Sequence, residues 1–113
     1  MLTNRERFLK LHGLPKATNL SLTEISKLSG IPEPALQTVY NRGTGAWRTN
    51  IRSVRLRPAS GFGPAFKKDV EAPRSAKLTK EQWSMARVYA FVMKTRKVFY
   101  GADKDVAIEF NLL

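Results

Sequence analysis

The amino-acid sequence predicts an all-α, or nearly all-α, fold in which a helix-turn-helix-like pair packs on a central apolar helix, with an extended basic arm between them. Three observations carry this. A Ser or Thr followed three residues later by Glu or Gln, the reciprocal helix-start signal, occurs at Ser21/Glu24 and again at Thr79/Gln82. Gly30 and Pro32 punctuate the first of these segments at the spacing of a tight turn between two helices. From Trp83 to Met93 only Ser84 and Arg87 are not apolar, the pattern of a helix enclosed by other elements. A chain of 113 residues suffices for one core but not for two full domains, so residues 1–113 read as a single domain.

The elements follow in order. Residues 4–12 read as a short helix with Phe8 and Leu11 on one side and Gly13 as its stop. The next helix starts at Ser21, with Leu20 and Ile25 as a hydrophobic staple. It places Leu22, Ile25 and Leu28 on one face and ends at Gly30. A second helix begins around Pro32 to Pro34, carries Leu36, Val39 and Tyr40 and stops at Gly43. Beyond it, Val54 and Leu56 alternate with Arg55 and Arg57 as in one edge strand, which closes an N-terminal part spanning 4–57. Residues 58–77 are rich in Gly, Pro, Ala and Lys and suit a loop or arm. The C-terminal part, 78–113, opens with Leu78 stapled to Trp83. Its long helix runs over 79–97, and a last short helix from Asp103 sends Val106, Ala107 and Phe110 to the core.

Charge narrows the function. Twenty Lys and Arg against nine Asp and Glu give a net +11, which repels itself unless an anionic partner is near. The absence of cysteine removes disulfides, thiolate catalysis and the usual zinc sites. His12 is the single histidine, a poor basis for a catalytic triad. Asp103 and Asp105 read as a helix cap and a first-turn acid rather than an acid/base pair. No apolar run approaches the roughly 20 residues of a membrane span, and no secretory leader pattern follows Met1. The expectation is a soluble, non-secreted, non-enzymatic protein with no cofactor, no metal and no small-molecule substrate.

The basic residues are concentrated. No acid falls between Pro34 and Lys68, whereas Arg42, Arg48, Arg52, Arg55, Arg57, Lys67 and Lys68 all do. Arginine predominates, and a guanidinium grips phosphate through paired hydrogen bonds, so this window is the expected contact with nucleic acid or another polyanion. A solvated basic face is the plainer alternative. Trp47, in the segment RGTGAW, is read first as a cover for the core and second as a docking aromatic; Phe62 and Phe66 are docking candidates or fold back on the domain. The early residues of the second helix of the pair, Pro32, Glu33, Pro34, Gln37 and Thr38, make a poor base reader. Glu33 opposes phosphate, and two prolines supply no donors.

The stretches YNRGTGAWRTNIRSVR (40–55) and WSMARVYAFV (83–92), with the run from Asp103 to Asp105, resemble a small uncharacterised domain in proteins of large double-stranded DNA viruses of algae and protists and in short tailed-phage proteins. The resemblance implies a viral protein, in the virion or in the nucleus or cytoplasm of an infected host cell, and supplies no activity. It leaves two roles for a basic chain. One is sequence-independent genome binding; the other is a minor capsid or core cement protein that contacts other virion proteins through acidic surfaces.

Overall fold

In a computed structural model, residues 2–50 and 77–113 are described. They form an all-α fold of five α-helices and one π-helical turn: α1 (Asn4–Leu11), α2 (Leu22–Ser29), α3 (Glu33–Thr49), α4 (Lys80–Val92), the π-helical turn (Val98–Ala102) and α5 (Lys104–Glu109). The edge strand around Val54 and Leu56 and nearly all of the arm at 58–77 lie outside the described residues.

Helix starts are where the sequence signals say. Ser21 Oγ accepts from Glu24 N while Glu24 Oε1 accepts from Ser21 N, and Thr79 and Gln82 repeat the arrangement. A third capping box, Thr3 with Glu6, opens α1. Each such cap contributes about 1 kcal/mol by satisfying backbone donors that the first turn leaves open.

In α1 the buried pair is Phe8 and Leu9, not Phe8 and Leu11; Leu11 is 71% exposed. The inward stripe runs through Arg5, Phe8, Leu9 and His12, at helical spacing. Its two polar ends are accommodated: Arg5 donates to the carbonyls of Lys16 and Thr18, and the His12 ring packs 4.5 Å from Phe8. Leu28 in α2 likewise faces solvent, at 40%, leaving Ile25 as the residue that anchors this helix.

Gly30 takes the left-handed conformation (φ 76) that ends α2, and Ser26 Oγ donates to Ile31 O across the turn. The helix pair is thus joined by residues 30–32. Contrary to expectation, α3 does not stop at Gly43. It runs on through both glycines of RGTGAW to Thr49. The reason is packing: Gly43 lies against Ser84 of α4, where an added Cβ would lie 2.9 Å from Ser84 Cα. Gly43 therefore serves close approach, not chain reversal.

The core gathers Phe8, Ile25, Ile31, Ala35, Leu36 and Val39 from the N-terminal helices against Val88, Tyr89, Phe91 and Val92 of α4, with Phe99, Val106 and Ala107 from the C-terminal end. At roughly 25 cal/mol per Å² of apolar surface, such side chains contribute about 2 kcal/mol each, enough to outweigh individual caps. α4 is central as expected but shorter than 79–97. It ends at Val92 because Lys94 adopts φ 55, and Thr95 N then bonds Ala90 O. It is also not enclosed all round: Ala86 is exposed and Trp83 only half-buried.

Candidate polyanion-binding surface

The residues expected to carry charge to a partner divide into three groups. Arg42, in the middle of α3, is turned inward to an ion-pair network. Its Nη1 lies 3.1 Å from Asp103 Oδ1 and 2.8 Å from Asp105 Oδ1, and its Nη2 lies 2.6 Å from Asp105 Oδ2. Arg48, near the C-terminal end of α3, is exposed and has no ion-pair partner among the described residues. Arg52, Arg55, Arg57, Lys67 and Lys68, together with Phe62 and Phe66, lie outside the described residues.

Arg42 therefore leaves the list of partner-facing arginines. The inference that no acid opposes it rested on sequence distance, and the acids arrive from 61 and 63 residues away. Asp103 also departs from its expected role. Its side chain makes no cap bond. It is fully buried and accepts from Arg87 Nε and Nη2 at 2.8 Å each, as well as from Arg42. A buried carboxylate without such partners would be strongly disfavoured. Asp105, although exposed, is held down to about 2 by its hydrogen bonds from Arg42, and the same bonds hold the Arg42 guanidinium well above its usual range. Two arginines and two aspartates thereby cancel one another.

Trp47 bridges two helices. Its indole Nε1 donates to Leu78 O at 2.9 Å, tying the end of α3 to the start of α4, and the ring is partly buried. The polar side chains of early α3 are also occupied: Thr38 Oγ1 donates to Pro34 O, Gln37 Nε2 to Asn41 Oδ1, and Glu33 Oε1 accepts from Thr23 Oγ1.

Of the other described acids, Glu6 is drawn inward and Glu24 into a cap, while Glu33, Glu81 and Glu109 stay exposed. Glu6 is buried, which alone would raise its pKa, but Lys16 at 3.1 Å and the Thr3 backbone and hydroxyl outweigh burial and hold it below the usual range. The sequence reading missed Arg87, Asp103 and Glu6 as partners. Two of them had a signal, since Arg87 is the one charge inside an apolar helix and needs an acid, and Thr3/Glu6 has the same spacing as the two boxes that were read. Among the described residues no group of His, Asp and Glu could hold a metal ion, and no helix is long and apolar enough to cross a membrane.

The described residues define a small all-α domain in which Glu6, Asp103 and Asp105 are ion-paired within the chain and several cations stay exposed. Residues 4–59, which run from the start of α1 through all of α3, match the model of a family of unknown function (DUF5824). No curated protein and no solved structure matches the chain.

Proposed function

We propose that this chain is a non-enzymatic binder of nucleic acid that holds the phosphate backbone without reading base sequence. One observation carries the reading. In a chain of net +11, the acids Glu6, Asp103 and Asp105 are spent on ion pairs within the chain, while Arg48, Arg96, Lys97 and Lys104 stand exposed with no ion-pair partner among the described residues. With these three acids paired and Lys and Arg outnumbering Asp and Glu twenty to nine, the chain presents a net positive field outward, which favours phosphate and raises the rate of encounter with it. The occupied side chains of Glu33, Gln37 and Thr38 argue against base readout through early α3. The resemblance of residues 40–55 and 83–92 supports a virion or an infected cell as the setting.

The test is a titration of the purified chain against unrelated duplexes at several salt concentrations. Logarithmic affinity falls with logarithmic salt at about −0.9 per phosphate neutralised, and equally for each sequence. Absence of binding at low salt sinks the proposal and leaves a cement role in a capsid or core, to be checked by locating the protein in particles.

A further inference from the structure

Between α4 and α5 the chain makes the π-helical turn. Tyr100 N bonds Thr95 O, Ala102 N bonds Lys97 O and Asp103 N bonds Val98 O, at 3.2, 3.0 and 2.8 Å. A π-turn holds one more residue than an α-turn and recurs at functional sites. Its effect here is a sorting of side chains. Phe99 and Asp103 go into the core, while Arg96, Lys97, Tyr100 and Lys104 are left outside. Arg96, Tyr100 and Lys104 fall four residues apart along this path, so they line one side of it, with Lys97 beside them.

Two further features give this face a preferred partner. Tyr100 is 51% exposed, yet its ring is fixed by an edge contact with Phe99, at 4.9 Å between centroids and 74° between planes. Lys94 Nζ approaches the same Phe99 ring at 5.7 Å, which brings a further cation to the neighbourhood of Tyr100. The only acids between residues 94 and 108 are Asp103 and Asp105, and both are neutralised by Arg42 and Arg87. The result is an exposed, held aromatic ring among uncompensated cations. Unpaired strands are bound this way, phosphates on the cations and a base stacked on the ring.

We propose that residues 94–104 form a contact face for single-stranded nucleic acid, with Lys94, Arg96, Lys97 and Lys104 on phosphates and a base stacked on Tyr100. This rests on the nucleic-acid reading above and adds to it a location and a strand preference, because a duplex has no unstacked base to offer the ring.

The experiment measures binding of the full chain to a labelled single strand and to the corresponding duplex over a salt series. Four proteins are compared: the unaltered chain, Tyr100→Ala, a face triple (Arg96→Gln, Lys97→Gln, Lys104→Gln), and a control triple of equal charge change on α1 and α2 (Arg7→Gln, Lys10→Gln, Lys27→Gln). All altered residues are exposed, and helical circular dichroism verifies that each variant folds. Tyr100→Ala is expected to weaken single-strand binding roughly tenfold and leave duplex binding unchanged. The face triple should lower the single-strand salt slope by about two and the control triple should leave it unchanged. Equal losses from the two triples, or a Tyr100→Ala effect that is nil or the same on both substrates, overturn the proposal while the broader reading stands. An unaltered chain that binds neither substrate at low salt removes both.

Discussion

Arg87 grips Asp103 through two hydrogen bonds of 2.8 Å, and the carboxylate they hold has no exposed surface. This pair fastens the middle of α4 to the start of α5, and Arg42 brings α3 to the same point. Removing one partner of a buried pair costs more than the pair contributes, because the survivor keeps its desolvation penalty. Arg87→Met should therefore destabilise the chain by roughly 3 kcal/mol, read as a lower denaturant midpoint at unchanged slope. A loss below about 1 kcal/mol would place Asp103 in contact with water and remove its anchoring role.

The two glycines of α3 should respond in opposite directions to alanine. At Gly43 the new methyl meets the Ser84 backbone at 2.9 Å, and forcing two helices apart costs about 1–3 kcal/mol, more than the gain of up to about 1 kcal/mol in helix propensity. At Gly45 nothing lies within 4 Å, so only the propensity gain remains and Gly45→Ala should stabilise by roughly 0.5–1 kcal/mol. Thermal midpoints of the two variants decide it, and a stabilising Gly43→Ala would show that the helices do not meet there.

Acid should loosen the Arg42 contact. The Asp105 carboxyl is held at about 2 in the folded chain against 3.8 when free, because Arg42 bonds its charged form. Its contribution to stability is thus fully present above about pH 4 and is lost as pH falls from there through about 2, where the unfolded chain binds the proton first. Glu6 and Glu24 are lowered too, so total acid lability exceeds this one group. The difference between the unaltered chain and Asp105→Asn isolates it. Urea midpoints of the two proteins should converge between pH 4 and 2, and parallel curves would refute the assignment.

What could be read beforehand follows from how local each cause is. The capping boxes at Ser21 and Thr79, the left-handed stop at Gly30 and the apolar run of α4 depend on neighbours within a few residues, and all four appear where expected. The errors share the opposite character. Gly43 looked like a stop because its reason for being glycine is Ser84, on another helix. Asp103 looked like a cap because Arg87 and Arg42 are distant in sequence. Leu11 was placed inside because period alone does not show that Arg5 and His12 extend the buried stripe of α1. In the candidate surface, neither the Trp47 bond to Leu78 nor the pairing of Arg42 with Asp105 was legible, since each partner is distant in sequence.

A phosphate-backbone contact that does not read sequence is tested most directly by comparing two multiple variants by salt titration on unrelated duplexes. Changing Arg48, Arg52 and Arg55 to alanine should lower the salt slope by about three units, if each contributes one phosphate contact, and weaken every duplex alike. Changing Gln37 and Thr38 should leave both slope and affinity in place. A Gln37 and Thr38 variant that loses one particular sequence, while the arginine variant binds all duplexes as before, would instead make this chain a base reader.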